Sequence, residues 1–211
     1  IKKEYGSINK YLEIKSNQNT IIRIDSDLLK CGTIYNTIND YCRSYNIFKV
    51  NNGLYISKVM MNDKGINRLK INDIIKEMKS QFSDMTYFSV ENIKNEISMQ
   101  NIIELGFDDE FIENIVFYKN DISTLRINNH KLFSFVKKKM SIQSFIEDEM
   151  EKYRSISIGD FVNNVNEEYS IDLTYDVVKG YVYGLSNIYY SPILDKLYID
   201  KEDFYKEIYD E

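Results

Sequence analysis

Between Ser141 and Tyr209 the apolar positions recur first at helical and then at strand spacing. Ile142, Phe145, Ile146, Met150 and Tyr153 fall on one helical face, with Glu147, Asp148 and Glu151 opposite. A short strand, Ser155–Ser157, follows. Ser157 and Asp160 form a weak capping box, in which the hydroxyl accepts a first-turn amide and the carboxylate favours the positive helix end. Phe161, Val162, Val165 and Tyr169 line a second helix. Thr174 caps a third, striped by Val177, Val178, Tyr181, Val182 and Leu185. Its Gly180 and Gly184 each cost roughly 1 kcal/mol relative to Ala, so packing must hold it. The period then drops to two over Ile188, Tyr190, Leu197 and Ile199, predicting a hairpin over about 188–199. Pro192, the only proline, lies at its turn. A last helix carries Phe204 and Tyr205.

The same order of elements is expected twice more. In the first segment Tyr5, Ile8, Tyr11 and Leu12 begin a helix, and Thr20–Ile24 is a β-branched strand. Asp25 or Ser26 caps a short helix that Gly32 ends, and Ile34, Tyr35, Ile38, Tyr41, Cys42 and Tyr45 face inward from the next. Asn51-Asn52-Gly53 joins two apolar runs into a hairpin over about 47–59, because Asn and Gly tolerate positive φ. A polar connector, 61–68, leads to a helix with Ile71, Ile74, Ile75, Met78 and Phe82, then to the strand Met85–Phe88. Ser89 caps a helix with Ile93 and Ile97, and Asp108 to about Tyr118 forms another with Phe111, Ile112, Ile115 and Val116 inward. The segment Ser123–Val136 lines up with Asp195–Ile208 at an offset of 72, pairing Leu125 with Leu197 and Leu132 with Phe204.

Helix, strand, two helices and a hairpin, in that order, resemble the winged helix, a helix-turn-helix variant; no family-specific motif accompanies the order. The resulting expectation is an α+β, mainly helical chain of three tandem winged-helix-like units, 1–62, 63–138 and 139–211, each with a small hairpin wing. The resemblance implies DNA binding, with the third helix in the major groove and the wing on the backbone.

Composition qualifies this. The 211 residues lack Ala and Trp and are rich in Ile, Asn, Lys and Tyr, which points to an AT-rich bacterial or phage genome and weakens Lys and Tyr counts as signs of nucleic-acid binding. The chain begins at Ile1, so an excerpt of a longer protein or a processed product is expected. No apolar run of about 18 residues and no signal-peptide pattern occurs, so no membrane role is expected. Cys31 and Cys42 on one helix would stand about 16 Å apart, too far to bridge, and are read as buried thiols of a reducing, cytoplasmic compartment.

Charge is unevenly spread. Residues 1–80 carry 14 Lys and Arg against 8 Asp and Glu, a net +6, while 81–211 carry 13 against 25, a net −12. The third helix of the last unit offers Lys179 against Asp176, and that of the second offers Asp108, Asp109, Glu110 and Glu113 against Lys119. Neither suits a phosphate backbone. The first unit keeps Lys30, Arg43, Lys49 and Lys58, with Asn51 and Asn52 at the wing tip, and the connector adds Lys64, Arg68 and Lys70.

Enzyme motifs are missing: there is no Gly-rich phosphate loop, nucleophile elbow or metal-ligand spacing. His130, the only histidine, is read as a surface-loop residue. The acids at 108–113 could hold a cation, but the first three open a helix, where they complement its dipole. The tyrosines could stack on bases, yet most lie in core stripes, and Lys137-Lys138-Lys139 is read as a solvated linker. The expectation is a non-enzymatic, cofactor-free DNA-binding fragment of a replication- or transcription-related protein, touching duplex through Lys30, Arg43, Lys49, Asn51, Asn52, Lys58, Lys64 and Arg68. The alternative is a protein-protein interaction scaffold, with a protein partner at the acidic C-terminal unit.

Overall fold

The computed structural model describes residues 2–117, 122–137, 139–185 and 187–209. The chain is α+β and mainly helical, with three small antiparallel sheets. It divides into two compact units, Ile1–Gln81 with Lys94–Ile122, and Phe82–Ile93 with Ser123–Glu211. The segment 63–138 therefore contributes to both.

The first unit opens with α1 (Lys2–Tyr5) and α2 (Ile8–Ser16), the latter capped by the Ser7 hydroxyl accepting from the Lys10 amide. Next come β1 (Ile21–Arg23), α3 (Ser26–Leu29), α4 (Gly32–Arg43), β2 (Ile47–Asn51) and β3 (Leu54–Ser57). The sheet order is β1-β3-β2, with Ile22 opposite Tyr55 and Lys49 opposite Tyr55 on either side of the central strand. Leu12, Ile22, Ile24, Ile38, Cys42, Ile47 and Tyr55 form one buried cluster, which is why the β-branched strand and the helical stripe cohere.

Three local expectations are corrected. Gly32 does not end α3; it opens α4, with Cys31 before it as an exposed N-cap residue rather than a buried thiol. The second strand of the hairpin stops at Ser57, whose hydroxyl accepts the Met60 amide and starts α5 (Lys58–Asp63). The connector is thus partly helical, and it is pinned by Met61 and Ile66, both fully buried. α6 (Arg68–Phe82) follows, with Ile71, Ile74, Ile75 and Met78 inside as its periodicity requires.

β4 (Phe88–Ser89) and α7 (Val90–Glu96) carry the chain across the division at Lys94. Ser89 caps α7 as expected, its hydroxyl accepting the Asn92 amide at 3.3 Å. In the first unit α8 (Gln100–Ile103) interrupts what the sequence suggested was a plain link, and α9 (Asp109–Phe117) completes it. The expected end of α9 at Tyr118 lies outside the described residues.

The second unit holds two sheets. β5 (Ser123–Ile127) and β6 (His130–Ser134) pair with β4 in the order β4-β6-β5. After α10 (Ile142–Met150), β7 (Ser155–Ser157), α11 (Ile158–Tyr169), α12 (Tyr175–Val182), β8 (Tyr189–Ser191) and β9 (Lys196–Tyr198), a third sheet forms in the order β7-β9-β8, and α13 (Lys201–Tyr209) follows. All three sheets share one strand order. The 72-residue alignment is nonetheless wrong: it sets the strand β6 against the helix α13. The equivalent central strands are β6 and β9, where Leu132 faces Ser89 and Leu197 faces Ile156. Caps at Ser157 and Thr174 form, donors being the amides of Asp160 and Val177. Tyr87, Leu125, Ile127 and Leu132 share one buried cluster with Phe145, Ile146, Phe161, Val165, Val178 and Leu197.

Candidate nucleic-acid interface

The Asp25 carboxylate accepts the Asp27 amide at 2.8 Å and starts α3, which ends beside Lys30. Lys30 is paired with Asp27 at 2.6 Å, and Arg43, in the last turn of α4, with Asp40 at 3.2 Å. Both pairs are well exposed, and such pairs are worth about 0–1 kcal/mol. Lys49 lies in β2 and meets Glu110 of α9 at 3.6 Å, with its side chain largely covered. Asn51 ends β2 after a register shift at Lys49, and Asn52-Gly53 makes the turn. Lys58 opens α5 rather than extending the wing, and its Nζ donates to Asn46 Oδ1 at 3.2 Å. Lys64 and Arg68 are exposed on either side of the α5–α6 turn, and neither forms an ion pair with another described residue. Lys70, in the first turn of α6, is half-buried.

These residues do not converge. The Ile24 amide donates to the Gly53 carbonyl at 2.8 Å, which holds the hairpin tip, with Asn51 and Asn52, beside the start of α3. Lys58 instead sits against Asn46, just past the far end of α4 where Arg43 lies. The five residues of β2, at about 3.3 Å each, put roughly 16 Å between the tip and that end. The expected set is thus two thin groups, and Lys49 between them is already engaged.

The helix in the corresponding position of the second segment is not a surface helix. Phe111, Ile112, Glu113, Asn114, Ile115 and Val116 of α9 are all buried inside the first unit, against β2. The Asn114 side-chain amide donates to the main-chain carbonyls of Lys49 and Val50 at 3.3 and 3.5 Å. Asp109 and Glu110 stand in the first turn, as their dipole role predicts, and each has a cation, Lys94 and Lys49 respectively. Lys119 lies outside the described residues, as does Lys138 of the basic run.

On the third segment, Lys179 of α12 donates to the Tyr175 hydroxyl at 3.2 Å and lies 5.1 Å from the centre of that ring. Asp195, which ends the β8–β9 turn at φ 53°, accepts from the hydroxyls of Tyr175 at 2.7 Å and Tyr190 at 2.8 Å. Those donors, Tyr175 foremost, hold its carboxyl below the usual range. Burial and the Asp195 bond push the Tyr190 hydroxyl up to about 12. The sequence reading missed this cluster; its one local sign was Tyr175 and Lys179 at i, i+4. His130 begins β6 instead of occupying a loop, and its Nε2 lies 3.0 Å from Asp172 Oδ2.

No group of three or more His, Cys, Asp or Glu side chains that could hold a metal occurs among the described residues. A cavity of about 10 Å³, lined by Cys42, Tyr45, Ile47, Phe48, Lys49, Asn114 and Ile115, is no larger than a single water requires. Among the described residues no helix is long and apolar enough to cross a membrane. Comparison with known proteins gives no matching family model, no similar curated protein and no similar solved structure.

Proposed function

We propose that the chain is a non-enzymatic docking protein built from winged-helix-like elements, rather than a reader of duplex DNA. The shared strand order of the three sheets supports the winged-helix assignment. One observation carries the functional choice: α9, at the position of a recognition helix, buries every residue from Phe111 to Val116 inside the first unit and pairs Glu110 with Lys49. An element used as core cannot enter a groove. Residues 81–211, at −12, would moreover repel a phosphate backbone, and an acidic surface suits a basic partner.

A second reading retains DNA contact through the N-terminal segment, as part of a replication- or transcription-related protein. It is favoured by the outer face of α4, where Thr33, Asn36 and Arg43 are exposed, and by the exposed Lys64 and Arg68. The exposed pairs Lys30–Asp27 and Arg43–Asp40 could open to phosphate at little cost. Titration with duplex DNA at about 50 and 200 mM salt separates the two readings. The docking reading expects no saturable binding at either. Binding that falls steeply with salt, and is lost in Arg43→Glu/Lys49→Glu/Lys58→Glu, would establish the DNA reading instead.

A further inference from the structure

The three hairpin tips differ in chemistry. The first is Asn51-Asn52-Gly53 and the second Asn128-Asn129, polar turns of the ordinary kind. The third is Pro192-Ile193-Leu194, and it leaves Ile193 84% and Leu194 39% exposed. Nothing about a four-residue turn requires two aliphatic side chains in water.

The tip is also held firmly. Pro192 fixes its own φ, and the Leu194 amide donates to Ser191 Oγ at 3.3 Å. Asp195, in the left-handed region, is tied to Tyr175 of α12 and Tyr190 of β8. Tyr183, just past α12 and 67% exposed, sets its ring edge-on against Tyr190 at 5.3 Å. Tyr175 therefore ties the start of α12 to the tip and Tyr183 ties its end to β8, so the exposed aliphatic tip and the helix beside it are held in a fixed relation beforehand, which lowers the entropy cost of binding. Along α12 the outer stripe is Asp176, Lys179, Gly180 and Tyr183. A Cβ at Gly180 would meet nothing within 4 Å, so the helix backbone is open to close approach there.

The surrounding charge selects the occupant. Residues 139–211 carry 7 Lys and Arg against 16 Asp and Glu, a net −9. Asp176 is exposed on the stripe itself, and Lys179, one turn along it, is held by Tyr175. Nucleic acid and acidic peptides are disfavoured. We propose that the outer face of α12 with the β8–β9 tip is a docking site for a partner polypeptide that brings an aliphatic anchor flanked by Lys or Arg. This rests on the docking reading above and assigns it a surface and a ligand chemistry.

The test uses the full chain and three labelled peptides: an amphipathic Lys/Leu helix, its Glu/Leu counterpart and a Lys/Ser peptide of equal charge. Fluorescence anisotropy is expected to show the Lys/Leu peptide binding at least about tenfold more tightly than either control. Ile193→Ser alone, and Ile193→Ser with Tyr183→Ser, should each weaken it severalfold or more while the thermal midpoint of Ile193→Ser stays unchanged. Asp176→Lys should weaken it as well. Equal binding of the Lys/Ser peptide, or no binding of the Lys/Leu peptide, overturns the proposal. Tight Lys/Leu binding that ignores both serine variants sinks this site and leaves docking elsewhere intact. Duplex binding with no peptide binding sinks both readings.

Discussion

The side-chain amide of Asn114 donates to the main-chain carbonyl of Lys49 at 3.3 Å, bridging 65 residues of sequence. Asn114 is buried, and β2 is an edge strand, so the bond satisfies a carbonyl that the sheet itself leaves open. Asn114→Ala should cost about 1–2 kcal/mol in urea unfolding, because a buried acceptor loses its donor. Asn114→Asp should cost more, since it turns a carboxylate toward two carbonyls. Glu110→Gln, which removes only the partly exposed ion pair with Lys49, should cost less than about 1 kcal/mol.

Gly53 has φ +84°, and a Cβ there would stand 2.6 Å from the Ile24 carbonyl oxygen. Both objections are to backbone, which cannot swing aside. Gly53→Ala should therefore destabilise the first unit by about 1–3 kcal/mol. Gly6, also at positive φ but with open space around it, should give a smaller loss in the same denaturation assay.

Lys152 is the cation for an almost fully buried carboxylate. Its Nζ lies 2.8 Å from Glu149 and 2.8 Å from Glu168, and Tyr169 donates to Glu149 at 2.8 Å. Burial raises the Glu149 pKa while Lys152 and Tyr169 oppose the rise. Lys152→Met should cost about 1–3 kcal/mol at neutral pH, less than for a completely buried pair because Lys152 is partly exposed. Without the cation the folded carboxyl rises further above its unfolded value. The penalty thus appears as pH climbs above about 4.3 and fades below it. Adding Glu149→Gln should restore part of the loss, and urea melts at neutral and acid pH would read both effects.

Asp195, Asp203 and Glu207 all have lowered pKa values, through Tyr175, Arg154 and Lys196 respectively as first partners. Their folded values lie below their unfolded ones. Their stabilisation is complete above an unfolded value of about 4 and is lost as pH falls through the folded values. The second unit should therefore lose thermal midpoint on acidification below about pH 4. Asp195→Asn should be less stable than the parent at neutral pH, and the gap should close in acid. A gap that widens in acid would count against the assignment.

Much of this fold was legible locally. The stripe Phe145, Ile146 and Met150 is buried as its spacing demands, and Ser89, Ser157 and Thr174 cap the helices they precede. Errors arose where two patterns coincide over a few residues. Ser123–Val136 and Asp195–Ile208 share apolar positions, yet one is a hairpin and the other a strand and a helix. Met61 and Ile66 sit in a polar run without periodicity, so their complete burial left no trace in the pattern. The pairing within the candidate basic set was illegible for a different reason. Which acid meets Lys49 depends on a helix some 60 residues away, and no local spacing encodes that.

The reach of Asn114 to Lys49 also sets a schedule. At about 5–20 residues per second, α9 leaves the ribosome roughly 3–13 s after β2, a long wait beside the time a hairpin needs to form. Through that interval β2 has an open edge beside Phe48 and Val50, the sort of edge on which other strands pair. A lysine in the middle of it discourages such pairing. Lys49 thus guards the nascent strand before it becomes the partner of Glu110, and a chain that stops short of α9 keeps the guard but never gains the cover.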